Sequence, residues 1–133
     1  MQREMRLRRS EDFGAVHRRG RSWASALLVV RCLPNGLPLS RFGFSISKRV
    51  GKAVVRNRIK RRLREAVRAL SPGSGADVVV IARDAAAGAS YQELRSCLAT
   101  LLVRARLLRE RAGPAADQSG SPREVSRGRG VDV

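Results

Sequence analysis

Between Lys48 and Arg64 the chain carries nine Lys or Arg side chains and no acid within 17 residues. A solvated helix surface normally mixes signs, because opposite charges at i,i+4 stabilise it and like charges there destabilise it by a similar few tenths of a kcal/mol. Here Arg56/Lys60, Lys60/Arg64 and Arg64/Arg68 set base against base at that spacing. A helix that repels itself in this way calls for an external polyanion, and nucleic-acid phosphates are the first candidate. Asn57, between Arg56 and Arg58, adds an amide able both to donate and to accept, toward a phosphate, a 2′-OH or a hydrated metal ion held by RNA. The plainer reading of Asn57 is a tolerated surface residue in a helix it does not favour.

Hydrolytic chemistry is poorly provided for. Metal-dependent nucleases gather carboxylates around divalent ions, whereas the acids here are scattered and the basic segment has none. His17 is the single histidine, and metal-free acid–base cleavage generally needs two such groups. Cys32 and Cys97 are far apart and form no metal motif. No catalytic and no metal-ligating residue is assigned, so the sequence reads as a binder.

The 133 residues suit one domain, with 28 Lys+Arg against 11 Asp+Glu for a formal net charge of +17. Residues 1–70 hold 19 of these bases and four acids (Glu4, Glu11, Asp12, Glu65), which places +15 of the charge in the first half. Only Lys48, Lys52 and Lys60 are lysines. The arginine bias fits GC-rich codon usage, and it equally fits bidentate phosphate recognition. Two isolated cysteines suit a reduced, cytoplasmic setting better than a secreted disulfide scaffold. The basic start MQREMRLRRS is followed by no apolar stretch, so neither a secretory signal nor a membrane span is expected.

The positioning elements follow from periodicity. Ser10 reads as an N-cap, with Glu11 and Asp12 in the first turn, Phe13, Val16 and His17 at helical spacing and Gly20 as the C-cap. Trp23–Cys32 reads as one strand, and Arg41–Ser47 alternates strictly, with Phe42, Phe44 and Ile46 opposite Gly43, Ser45 and Ser47. The two suggest an antiparallel pair with one face on a core and the other small, polar and open. A long amphipathic helix is expected over 54–70, with Val55, Ile59, Leu63, Ala66 and Leu70 inward. Asp77–Ala82 reads as a central strand, 85–89 as a loop, and Ser90 with Glu93 as a capping box opening a last helix that ends near 111–113. The order helix, strand, strand, helix, strand, helix gives an α+β sandwich of helices on a small sheet. The domain is drawn at 1–112, and 113–133 as a disordered basic/polar tail lacking apolar periodicity.

The block GKAVVRNRIKRRLRE at 51–65 resembles the RNR signature of the bacterial ribonuclease P protein family. Its lead-in RFGFSISKRV at 41–50, Glu11-Asp12-Phe13 in the first helix and Val79-Val80-Ile81-Ala82-Arg83 resemble the family in order and spacing, from about Leu7 to Leu108. The resemblance implies a mixed sheet with a left-handed βαβ crossover through the RNR helix. It implies that Lys48, Arg49, Lys52, Arg56, Asn57, Arg58, Lys60, Arg61 and Arg64 bind the catalytic RNA, and that Phe13, His17, Arg31 and Ser45 line a cleft for the single-stranded 5′ leader of precursor tRNA. His17 stands where the family often has a second aromatic, and Arg31 where some members have Tyr; both can still stack on a base. Mg2+ would be held mainly by the RNA subunit, which would do the cutting, so the chain would count as an enzyme only as a holoenzyme subunit. No membrane and no protein partner are implied.

Phe13 and Trp23 also read as ordinary core residues, and His17 as an exposed one. Two rival functions remain at this level. One is a ribosomal or RNA-chaperone-like binding protein. The other is a membrane-surface amphipathic protein, disfavoured because the apolar stripe of the basic helix is needed for the core.

Overall fold

A computed structural model describes residues 5–7 and 9–108, so the expected tail and the limit at 112 lie outside the described residues. The elements are α1 (Ser10–Arg19), β1 (Arg21–Ala24), β2 (Leu28–Pro34), β3 (Arg41–Ser45), α2 (Ala53–Leu70), β4 (Ala76–Ala82) and α3 (Tyr91–Arg104), with short 3-10 turns at Lys48–Val50 and Asp84–Gly88.

The strands form one mixed sheet in the order β1-β2-β4-β3. β4 is central: its apolar, β-branched run is buried at six of seven positions, as a strand covered on both faces must be. It runs antiparallel to β2 and parallel to β3, and α2 carries the chain from β3 to β4. One sheet face presents Leu28, Val30, Cys32, Phe42, Val78 and Val80 to Ile59 and Leu63 of α2 and Leu94, Leu98 and Leu101 of α3. Each such buried side chain contributes about 1.5–3 kcal/mol. The other face carries a smaller cluster of Leu7, Val16 and Val79, with Phe13, Leu33 and Ile81 packed against it. There α1 lies across the sheet, and Leu7 N–H donates to the Phe42 carbonyl at 2.8 Å.

Five expectations change. The segment 23–32 is a hairpin, because the chain reverses at Ser25, whose N–H donates to the Leu28 carbonyl at 2.8 Å. The strands on either side of 35–40 do not pair with each other; β4 inserts between them and supplies the ladder to both. Ser10 is the first helical residue of α1 while Arg9 holds the N-cap position, and the alanine-rich 84–88 forms a 3-10 turn. Finally, α3 stops at Arg104, because Arg106 adopts a left-handed φ of 64° and Leu107 N–H folds back to the Leu102 carbonyl at 2.9 Å. The capping box is as expected: Glu93 N–H donates to Ser90 Oγ at 3.1 Å and Ser90 N–H to Glu93 Oε1 at 2.8 Å.

Candidate nucleic-acid interface

The basic surface starts where β3 ends. Buried Val50 anchors the 3-10 turn, which leaves Lys48 and Arg49 exposed. Gly51 then passes close to the first turn of α2: a Cβ there would lie 2.9 Å from Val55 Cβ and Cγ1, so only glycine fits. Arg56 Nε donates to the Gly51 carbonyl at 3.1 Å and ties the lead-in to the helix. At 100° per residue, turning Ile59, Leu63 and Ala66 onto the core turns Asn57, Arg61 and Arg68 directly outward and puts Arg56, Lys60 and Arg64 along one flank. Lys48, Arg49, Lys52, Asn57 and Arg61 are exposed, and Arg56, Arg58, Lys60 and Arg64 half-exposed.

The lead-in and the helix thus bring all nine sequence-predicted residues onto two consecutive elements. Among the described residues only Arg49 of the nine has an acidic partner, Asp84 at 3.4 Å. The first turn of α2 has no acid and no side-chain cap, so the positive end of its dipole adds to the charge. Two neighbouring bases do structural work. Arg62 Nη1 donates to the Ala89 carbonyl at 2.9 Å, and Arg68 pairs with Glu65.

The second predicted surface lies on the α1 side of the sheet. The registers set two rows across four strands there: Ala24–Val29–Ile81–Ser45, and Ser22–Arg31–Val79–Gly43. Phe13 lies on the second row directly over Gly43, where a Cβ would come within 2.4 Å of the ring. The first row extends past α1, with Val29, Ile81 and Ser45 half-exposed. The row forms a half-exposed strip of sheet beside α1, with Phe13 packed on the neighbouring row and exposed His17 in the last turn of the helix. Of the residues expected on this surface, Phe13, His17 and Ser45 lie together on the α1 side of the sheet, beside Val29 and Ile81, which the strand order brings there. Arg31 sits within the second row, and its Nη2 donates to the carbonyls of His17 (2.5 Å) and Gly20 (3.3 Å). It therefore fixes the C-terminal end of α1 over the sheet. Gly20 is needed for the same approach, since a Cβ would meet Val16 O at 2.4 Å and Cys32 O at 2.9 Å.

No other arrangement offers chemistry among the described residues. Burial pushes the Cys32 thiol up to about 12, so it is no nucleophile at neutral pH. No group of three or more His, Cys, Asp or Glu side chains could hold a metal ion among the described residues. A groove of about 640 Å³ between the end of α2 and the segments around Met5 and Leu39 is lined by Phe42, Val67 and Pro72, and contains none of the predicted site residues. No helix among the described residues is long and apolar enough to cross a membrane.

Known proteins resemble this chain in sequence and fold. The family model for Ribonuclease P matches residues 1–106. The ribonuclease P protein component of Roseiflexus castenholzii is 46% identical over 108 residues, covering 79% of this chain and 88% of that protein. The solved structure of the Staphylococcus aureus RNase P protein superposes with a TM-score of 0.74 at 30% identity, covering 79% of this chain and 98% of that one. That of the Thermotoga maritima RNase P protein gives 0.70 at 33% identity, covering 74% and 96%. With its basic helix, its mixed sheet and these relatives in agreement, the chain belongs to the ribonuclease P protein family.

Proposed function

We propose that this chain is the protein subunit of a ribonuclease P holoenzyme that removes the 5′ leader from precursor tRNA. In this reading Lys48, Arg49, Lys52 and the outer side of α2 lie against the catalytic RNA, and the cleft floored by Val29, Ile81 and Ser45 takes the single-stranded leader. Phe13, His17 and Arg31 offer the flat groups on which unstacked bases rest. The observation that carries the reading is the basic surface of α2 and its lead-in, where seven of the eight predicted Lys and Arg contacts have no acidic partner among the described residues.

The polypeptide supplies contact and charge. It screens the repulsion between two polyanions, and Mg2+ held mainly by the RNA supplies the chemistry of cleavage. Substrate affinity rises and the Mg2+ requirement falls. The test is precursor-tRNA cleavage by the cognate RNA subunit at low Mg2+, with and without the protein. Acceleration by the protein is expected. An unchanged rate contradicts the processing role and leaves a general RNA-binding protein.

A further inference from the structure

The six acids among residues 9–108 all have partners within the chain. Glu11 pairs with Arg9, Asp12 and Asp77 with Arg41, Glu65 with Arg68, and Glu93 closes its own capping box. Asp84 differs from the rest in engaging a member of the basic surface, with its Oδ2 3.4 Å from Arg49 Nη2. The contact joins two short 3-10 turns, each pinned by one buried residue, Val50 in the first and Ala86 in the second. Both side chains project into solvent, Arg49 at 83% and Asp84 at 66% exposure. Neither holds the fold together, and an exposed pair of this kind contributes at most about 1 kcal/mol.

The geometry points to Asp84 as an internal competitor that occupies Arg49 in place of an RNA phosphate and so lowers the affinity of the basic surface for RNA. The inference rests on the reading that this surface meets RNA. While Arg49 Nη2 stays on Asp84, the surface is short of one phosphate contact, and the carboxylate repels any phosphate that approaches Arg49. Each phosphate contact accounts for about 0.7–0.9 in the slope of log K against log salt. Asp84 therefore makes binding weaker and less salt-sensitive than the count of bases suggests, and it opposes adventitious binding to other polyanions.

The experiment measures binding of the full chain to the cognate catalytic RNA across a salt series, for wild type, Asp84→Asn, Arg49→Ala, the double variant and Glu11→Gln. Glu11 lies on α1 and pairs with Arg9, outside the nine residues, so its variant reports the general effect of removing one negative charge. Asp84→Asn is expected to tighten binding about three- to fivefold at moderate salt, the scale of one exposed pair. Its slope should steepen by up to about 0.7–0.9, the share of one regained phosphate contact. Glu11→Gln should gain less, and the gain from Asp84→Asn should vanish when Arg49 is already Ala. A gain equal to that of Glu11→Gln, or one that persists undiminished without Arg49, overturns the inference. If wild type binds with no salt dependence, the underlying reading fails instead, whatever Asp84→Asn does.

Discussion

Arg41 and Asp77 face each other across the parallel β3–β4 ladder, with Nε donating to Oδ1 at 2.8 Å and Nη2 to Oδ2 at 2.7 Å. Asn35 Nδ2 donates to the same Oδ1 at 2.9 Å, and Asp12 of α1 reaches Arg41 Nη1 at 3.7 Å. Asp77 is buried, and its hydrogen bond and charge raise the pKa of Arg41 above its ordinary value, so Arg41 stays cationic at every accessible pH. This pair joins the lead-in strand of the basic surface to the central strand, and through Asp12 to α1.

Asp77→Ala should therefore cost more than a surface substitution. It removes three charge-assisted hydrogen bonds and strands a partly buried guanidinium, for a loss of about 2–3 kcal/mol. Chemical denaturation checks this. A midpoint equal to wild type would show that the pair is incidental.

Gly43 and Phe13 should behave as a coupled pair. Gly43→Ala puts a methyl group where the ring lies, within 2.4 Å of Cζ, and should lift α1 off the sheet. Phe13→Ala opens that space, so the double variant should lose less stability than the two single losses added together. Strict additivity would contradict the contact. Phe13→Ala alone should weaken binding of leader-bearing precursor more than of mature tRNA, measured side by side. Equal effects would remove Phe13 from the leader cleft.

Cys32 provides a pH test. Its thiol is raised from 9.0 to about 12 by burial, so the folded state favours the protonated form. The stability this contributes is fully present below pH 9 and is lost as pH rises toward 12. At pH 8, iodoacetamide should leave Cys32 unlabelled in the native protein and label it once denaturant unfolds the chain. Native labelling at the rate of a free thiol would contradict the burial.

These elements were unequally legible in the sequence. The basic helix could be read to within one residue because its core stripe and its bases both recur at 3.6, and Ser90 with Glu93 marked the last helix through a purely local capping exchange. The β1–β2 hairpin was missed because Ser25, Ala26 and Leu27 carry no Gly, Pro or Asn to signal a turn. The strand order was missed because the partner of β3 arrives more than 30 residues later, beyond α2, and nothing local encodes that pairing. The end of α3 was missed because an arginine, not a glycine, takes the left-handed position. On the α1 side of the sheet, Phe13 and His17 could be placed from helical spacing, whereas their half-exposed neighbours Val29 and Ile81 came to light only through the register. Arg31 was read as a base platform, and the backbone carbonyls of α1 show its second task.

The most direct test of the account is the salt dependence of binding to the cognate catalytic RNA, compared between wild type and a variant with Arg56, Arg58 and Arg61 all changed to Gln. If these side chains sit on phosphates, affinity falls and the slope of log K against log salt flattens by about 2 for the three lost contacts. Weaker binding with an unchanged slope, or no change at all, would contradict the claim that α2 turns its basic side to RNA.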